Sequence, residues 1–328
     1  MKSINLGVIG VGHLGTFHAR LAADIDLIRL TGVYDIDQEQ AARVSAQCAT
    51  VPYSDLDDLL CRVDAVSIVV PTSEHFNVAM KALDHGCHIF IEKPVTSTVE
   101  EARQIIDKAG RKNKKIQVGH IERFNPAMLA LKGHTLNPLF IEAHRLSQFN
   151  ARGCDVSVVL DLMIHDLDLI LYLVNSRVVQ TDACGVAVVS KTEDIANVRL
   201  TFENGCVANL TSSRISLTAM RRMRLFQKNQ YITMDFMKKK SDIFMLRDQH
   251  GTTEPEPSDM VVSHIGTGDQ ARNIVYQKCE HPQVNSLKME LEEFARAILF
   301  DLAPEISGEQ GMQALEVANT ILEKIARP

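Results

Sequence analysis

The chain has 328 residues, 45% of them hydrophobic and 23% charged, with a formal net charge of -6. That length holds two domains with sizeable cores, and the acidic balance argues against nucleic acid as the main partner. No apolar run reaches transmembrane length, and the first residues enter a strand pattern rather than a signal peptide, so a cytoplasmic protein without a membrane partner is expected.

Seven cysteines, an odd number with no C-x-x-C pair, read as reduced thiols. Neither a disulfide framework nor a metal site is expected.

The N-terminal stretch organises the rest. Leu6 to Ile9 is a short apolar run that reads as a buried strand, and a helical pattern opens near His13. Between and within them stand Gly10, Gly12 and Gly15, at G-x-G-x-x-G spacing. The first glycine suits a tight turn, the second lets backbone approach a pyrophosphate, and the third lets helix and strand pack closely. The free N–H groups of the helix start then face the phosphates. The next apolar run, Leu30 to Tyr34, ends in Asp35, 20 positions after Gly15. An acid there takes the ribose 2′-hydroxyl in dinucleotide folds. The competing reading is a strand–turn–helix unit whose glycines serve packing alone.

Helix patterns follow at His13–Ala23, Gln38–Ala46, Glu74–Asp84 and Val99–Lys112. They alternate with strand patterns at Arg29–Tyr34, Ala65–Val70, His88–Ile91 and Lys115–Val118. Such alternation predicts an α/β domain with a doubly wound parallel sheet, whose ligands sit outside the C-terminal strand ends. Three of those ends carry useful groups: Pro71-Thr72-Ser73-Glu74-His75, Glu92-Lys93-Pro94, and Gly119-His120 running on to Arg123, Asn125 and Pro126. Pro71 ends its strand, and Thr72 or Ser73 can cap the next helix.

Beyond about residue 136 the pattern changes to a strand at Phe140–Leu146, a long apolar helix at Val158–Val174, and extended runs. The runs are Cys184–Ser190, Ala196–Phe202, Cys206–Thr211, Arg222–Gln227, Tyr231–Asp235 and Ile243–Leu246, with a hairpin at Glu203-Asn204-Gly205. Gly251–Gln270 reads as a surface loop, and helices near Ser286–Phe300 and Glu309–Ala326 close the chain. This predicts a Rossmann domain over 1–120 and a second α+β domain over 121–328 with an open-faced, mostly antiparallel sheet.

The long helix is apolar nearly all round, yet Asp161, His165, Asp168 and Tyr172 fall on one stripe at 100° per residue. A polar stripe on such a helix must meet water, a partner or a ligand. His165 beside carboxylates is a candidate general base; the bland alternative is a buried Asp–His structural pair. Pro94 restricts Lys93 to an extended conformation, so Lys93 is a candidate donor to a reacting oxygen, or else a solvated lysine in a turn.

The glycine fingerprint, Pro71-Thr-x-x-His75, Glu92-Lys93-Pro94 and Asp161-x-x-x-His165-x-x-Asp168 occur together in an order that resembles the Gfo/Idh/MocA family of sugar oxidoreductases. The resemblance implies hydride transfer between a hydroxyl or carbonyl and a nicotinamide cofactor, with Lys93, Asp161 and His165 as the catalytic trio. The cofactor-binding positions it implies are Gly10, Gly12, His13, Leu14, Gly15, Asp35, Pro71, Thr72, His75, Glu92 and Lys93. Gly119-His-Ile-Glu-Arg-Phe-Asn-Pro126, Ile141-Glu-Ala-His-Arg145 and Val159 to Asp168 resemble more closely the branch acting on the 3-hydroxyl of UDP-N-acetylglucosamine, a step toward a diamino sugar of lipid A. Two departures narrow the space near the helix start. Val156 and Ser157 stand where many members have Gly-Gly, and Met163 stands where many have Gly.

A UDP-sugar needs donors for its diphosphate, and His120, Arg123, Asn125, Arg145 and Arg152 are candidates, with Asp168 toward the substrate. For each arginine alone, a surface ion pair is the alternative. NAD is expected over NADP, because Asp35 repels a 2′-phosphate and Ile36-Asp37 supplies no arginine. The expected partners are a small-molecule substrate, a coupled aminotransferase that consumes the ketone, and further copies of the chain in a homodimer or homotetramer. The dimer expectation rests on an apolar outer sheet face, exemplified by Val198-Arg-Leu-Thr-Phe202. Rival readings are an inositol, free-sugar or biliverdin reductase-like enzyme of the same build, or a non-catalytic NAD sensor.

Overall fold

A computed structural model describes residues 2–150, 156–248, 259–267 and 271–326. The chain divides into two units. One comprises Met1–Ile121 with Asn285–Glu316, and the other Glu122–Val284 with Val317–Pro328.

The first unit carries six parallel strands, β1 (Ile4–Ile9), β2 (Ile28–Tyr34), β3 (Val51–Tyr53), β4 (Ala65–Ile68), β5 (His88–Glu92) and β6 (Ile116–Gly119), in the order β3-β2-β1-β4-β5-β6. That is the dinucleotide-binding order, with its switch point between β1 and β4. The helices between the strands are α1 (His13–Ala22), α2 (Gln38–Cys48), α3 (Leu56–Leu60), α4 (Thr72–Asp84) and α5 (Val99–Arg111). The central strands read as unbroken apolar runs because both faces are covered, and Leu6, Val8, Ile68, Ile89 and Ile91 are fully buried. Helix starts follow local chemistry. The Asp37 carboxylate takes the N–H groups of Glu39 and Gln40, and Thr98 with Glu101 forms a reciprocal capping box on α5. At α4, by contrast, Pro71 occupies the cap position without a side-chain bond, so neither Thr72 nor Ser73 caps that helix.

Two elements escape the sequence pattern. β3 is three residues at the sheet edge, where Pro52 is tolerated, and α3 is a five-residue turn capped by Asp55. The second correction concerns the domain boundary. Helix α8 (Ser286–Leu299) was expected in the second domain but belongs to the first unit, because Leu291, Phe294 and Ala295 complete the core with Ile4, Leu6 and Phe90. The segment after it docks on β6, where Val118 N–H donates to Ile306 O at 3.0 Å. A Cβ on Gly311 would meet Val118 at 2.6 Å, so that approach needs glycine.

The second unit is built on a nine-stranded sheet of β7 (Phe140–Leu146), β8 (Val178–Val186), β9 (Ile195–Phe202), β10 (Val207–Ser213), β11 (Met220–Gln227), β12 (Gln230–Asp235), β13 (Lys240–Asp248), β14 (Asp259–Ile265) and β15 (Arg272–Cys279). The order is β14-β15-β13-β12-β11-β7-β10-β9-β8, antiparallel except for the β7–β10 pair. A short helix α6 (Pro126–Leu129) precedes it, and α9 (Gly308–Ile325) begins in the first unit and ends in the second. The long helix is not regular. Val159–Met163 forms a π-helical turn, and α7 (Ile164–Val174) continues from it.

Part of the expected Gly251–Gln270 loop is the edge strand β14, and 249–258 and 268–270 lie outside the described residues. The apolar residues of β9 also point the other way from expectation. Val198, Leu200 and Phe202 are buried on the helix-covered face, while Arg199 faces outward. The open face draws its apolar character instead from a cross-strand row, Phe140–Phe226–Tyr231–Phe244–Tyr276, with ring centroids 4.9–5.9 Å apart.

Candidate active site

In the first unit the three glycines have distinct jobs. Gly10 has φ +82°, and a Cβ there would meet Val69 O at 2.7 Å. A Cβ on Gly15 would lie 1.8 Å from Gly10 O, so only glycine lets α1 rise so close to the strand end. Gly12 differs: a Cβ there meets no atom of the chain within 4 Å. Nothing in the protein requires glycine at that point, which is what a cradle left open for a pyrophosphate predicts. Asp35 follows β2, and its Oδ2 accepts the Val11 N–H at 2.7 Å, tying the acid to the glycine loop. The residues therefore fit a dinucleotide. When bound, NAD supplies the hydride acceptor. His13 and Leu14 stand exposed on the first turn of α1, the latter 55% exposed. Pro71 is exposed and Thr72 half-buried at the start of α4.

Glu92 ends β5 and Lys93 and Pro94 follow it, and each is half-buried. Glu92 turns inward. Its Oε1 meets His18 Nε2 at 3.0 Å, and its Oε2 accepts the Lys93 N–H at 3.2 Å. Burial is the largest single influence and opposes the charge on Glu92, but the His18 hydrogen bond and charge together with the Lys93 N–H and ammonium outweigh it and hold the carboxyl below its usual range. Gly119 makes room, since a Cβ there would sit 2.9 Å from Glu92 Oε2.

His75 is corrected from its expected cofactor contact. It is 1% exposed, with Nδ1 2.9 Å from Pro94 O and Nε2 3.0 Å from Val70 O. Both ring nitrogens already face main-chain carbonyls, and burial pushes the ring below the usual histidine range. His120, at the end of β6, is likewise buried at 1% exposure.

In the second unit, Asp161 lies in the π turn and His165 in the first turn of α7, both half-buried. Single π turns widen a helix by one residue and recur at functional sites. The wide turn shifts Asp161 out of the straight 100° register, while His165, Asp168 and Tyr172 keep theirs within α7. Along that stripe Asp168 is 1% exposed and Tyr172 is 43% exposed.

The start of this helix is fastened from below. Val158 N–H donates to Glu193 O at 3.1 Å, and the Arg214 guanidinium donates to the carbonyls of Val156 and Glu193. Asp194 orders that loop. Its Oδ2 accepts the N–H groups of Val188, Val189 and Ser190, which hold its carboxyl far below the ordinary range against its burial. No motif marked Asp194 or Arg214 in the sequence.

The expected phosphate donors are engaged inside the protein, which corrects their role. Arg123 grips Asp168 in a bidentate pair at 2.8 and 2.7 Å and lies over the Tyr172 ring at 4.5 Å. Arg145 pairs with Asp166 at 3.0 and 2.8 Å and with Glu122 at 2.8 Å. Asn125 caps α6 through Ala127 N–H and donates to Glu122 and to Phe236 O. Asp168, expected near substrate, thus belongs to a buried ion pair rather than to a surface one. Arg152 lies outside the described residues. Glu122 and Asp166, the acids that hold Arg145, had no signal of their own in the sequence.

Among the described residues no cluster of three or more His, Cys, Asp or Glu could hold a metal ion, the six cysteines are free thiols, and no helix is long and apolar enough to cross a membrane.

Comparison with known proteins agrees with this geometry. Residues 4–120 match the Gfo/Idh/MocA model described as an oxidoreductase family with an NAD-binding Rossmann fold, and residues 130–232 match the family's C-terminal domain. The chain is 39% identical to UDP-N-acetylglucosamine 3-dehydrogenase of Acidithiobacillus ferrooxidans, over 97% of this chain and 96% of that one. A solved structure of the enzyme of that name from that organism superposes with a TM-score of 0.88 at 36% identity, covering 99% and 98% of the two chains. The scyllo-inositol 2-dehydrogenase (NAD(+)) of Bacillus subtilis is 27% identical over 65% of this chain and 68% of its own. With the phosphate cradle, the acid after β2 and this likeness all on hand, the chain belongs to the Gfo/Idh/MocA family of NAD-binding oxidoreductases.

Proposed function

We propose that this chain oxidises the 3-hydroxyl of UDP-N-acetylglucosamine to a ketone with NAD as acceptor. The observation that carries the substrate is the likeness to UDP-N-acetylglucosamine 3-dehydrogenase, which runs nearly end to end in both chains. His165 takes the hydroxyl proton as the carbon gives up hydride. Lys93 donates a hydrogen bond to the same oxygen and stabilises its alkoxide character. Asp161, one turn before His165, orients that ring or a substrate hydroxyl. Gly10, Gly12, Gly15 and Asp35 hold the cofactor. With Arg123 and Arg145 engaged in internal pairs, the diphosphate is held by other donors, main-chain N–H groups included.

A 3-keto sugar is reactive, and the oxidation runs uphill, so an aminotransferase that consumes the ketone is the functional partner in the cytoplasm. A second copy of the chain covers the open sheet face in a homodimer or homotetramer. The aromatic row across five strands supports this, because a row of that size is more than scattered surface apolarity.

The test is NADH formation with UDP-N-acetylglucosamine, an amino donor and a 3-keto-sugar aminotransferase, run beside free N-acetylglucosamine and myo-inositol. Activity on the nucleotide alone is expected. Activity on a free compound and none on the nucleotide would reassign the substrate while keeping the hydride chemistry. Light scattering at micromolar concentration reads the assembly, and a monomer there would overturn the dimer.

A further inference from the structure

Lys93 sits between two residues that are each fastened by a different buried histidine. On one side His18, from α1 and 1% exposed, joins Ser67 Oγ at 2.9 Å to Glu92 Oε1 at 3.0 Å. On the other side His75, from α4 and also 1% exposed, has Nε2 3.0 Å from Val70 O and Nδ1 2.9 Å from Pro94 O, and its neutral ring, with a single N–H, donates to one of the two carbonyls while packed against both. Ser67 lies in β4 and Val70 just beyond its end, and the Glu92–Pro94 segment leaves β5, the neighbouring strand. His18 is thus a strut hydrogen-bonded at both ends between β4 and one flank of Lys93, and His75 is a buried spacer between the end of β4 and the other flank.

The strut has a defined hydrogen-bond logic. A Glu92 carboxylate can only accept, so His18 must place a proton on Nε2. Its Nδ1 then faces a hydroxyl, which can serve either tautomer by rotating. The Phe90 ring closes against His18 edge-on, with centroids 5.5 Å apart, and leaves the imidazole one orientation. Glu92 in turn spends its second oxygen on the Lys93 N–H.

We infer that His18 and His75 are positioning residues, which act on the reaction by fixing the backbone of Lys93 through Glu92 and Pro94. This rests on the assignment of Lys93 to the reacting oxygen. A plain packing role for either histidine would lower stability without singling out the step that needs Lys93. A positioning role lowers turnover and does so only while Lys93 is present, because a misplaced group costs rate roughly as an absent one does.

The test is a double-mutant cycle in kcat, made with whichever panel substrate the wild-type chain oxidises, so a wrong substrate assignment leaves it intact. His18→Leu and His75→Leu are each made alone and in a Lys93→Met background, and NADH affinity is read by titration of its fluorescence. We expect each leucine variant to lower kcat about tenfold or more in the native background and less than about twofold beside Lys93→Met, with the NADH Kd within about threefold. Where a leucine variant does not fold, His18→Gln and Ser67→Ala carry the test. Glutamine keeps a donor toward Glu92, and we expect it to hold kcat within about threefold of native, while Ser67→Ala lowers kcat only when Lys93 is present. Equal losses in both backgrounds, unchanged kcat in the leucine variants, or a glutamine variant with no better turnover than a chain lacking Lys93 would each overturn the inference. Native turnover in Lys93→Met alone would remove Lys93 from the chemistry and the inference with it. A large loss there with additive histidine effects would remove the inference alone.

Discussion

Arg145 sets Nη2 2.8 Å and Nε 3.0 Å from the two carboxylate oxygens of Asp166, and both side chains are at most 5% exposed. Its remaining amino group reaches Glu122 at 2.8 Å. Removing the cation would leave Asp166 buried without its bidentate partner and Glu122 held only by Asn125 and the more distant Arg221, a loss of about 3–5 kcal/mol for a broken buried pair. Arg145→Met should therefore lower the thermal midpoint sharply, and Arg145→Lys should rescue it poorly because it cannot form the planar fork. A native melting point with a raised KM for the nucleotide would instead return Arg145 to substrate binding.

Gly12 and Gly15 should separate cofactor binding from folding. The Gly15 Cβ would sit 1.8 Å from a backbone oxygen, so Gly15→Ala must displace the strand–helix turn and should cost stability on the order of 3 kcal/mol or more. Gly12→Ala meets nothing in the chain. It should melt close to the native protein while binding NADH at least about tenfold more weakly, its methyl lying where the pyrophosphate approaches. Native NADH affinity in Gly12→Ala would show that the open space at Gly12 is not the cradle.

Asp35 governs cofactor choice. Its Oδ2 already accepts from Val11, which fixes the carboxylate where a ribose hydroxyl would donate and a 2′-phosphate would be repelled. Asp35→Ala should weaken NAD binding about tenfold and narrow the preference over NADP, as read by paired titrations with NADH and NADPH. Equal affinity of the native protein for the two would show that Asp35 faces elsewhere.

The Rossmann half was legible because each of its signals is local. Unbroken apolar strands, glycines at fixed spacing and an acid at a strand end are written within a few residues of one another. What was not legible depends on partners far apart in sequence. Arg123 and Asp168 stand 45 positions apart, and Arg145 and Asp166 stand 21 apart, so nothing near an arginine says whether it faces a phosphate or a buried acid. The π turn at Val159–Met163 was hidden for another reason: it inserts no distinctive residue, yet it breaks the 100° rule that put Asp161 on the polar stripe. α8 was recognised as a helix, but its apolar face does not say which core it joins, and Phe294 against Phe90 decides that.

Acid should weaken the fold through His88. Burial, then the charges of Lys114 and Lys115, push its pKa down to about 4, and its Nδ1 accepts the Lys115 N–H at 3.0 Å, a bond that protonation removes. Because the folded value lies below the ordinary 6.5, the unfolded chain takes up the proton first as pH falls. Stability is lost from about pH 6.5 downward, and this contribution levels off near pH 4. His75, lowered in the same direction by burial, adds to the same slope. His88→Asn keeps an acceptor and does not titrate, so its melting temperature should fall less between pH 6.5 and 4 than that of the native chain. Parallel curves for the two proteins would remove His88 from the acid response.

His165 should matter to the chemical step and little to cofactor binding. It stands on the first turn of α7, immediately after the π turn that holds Asp161, and it stays half-buried where Asp166 and Asp168 on either side are buried in ion pairs. A general base contributes about 10²–10⁴ in rate, so His165→Ala should lower kcat by roughly that factor with the NADH Kd within about threefold. The native kcat should fall on the acid side as the imidazole takes up a proton, and the alanine variant should lose that limb. Asp161→Asn should give a smaller loss and move the limb to lower pH, because a neighbouring carboxylate raises the basicity of the ring. Turnover in His165→Ala equal to that of the native chain at neutral pH would remove the histidine from the mechanism, and an unmoved limb in Asp161→Asn would separate Asp161 from it.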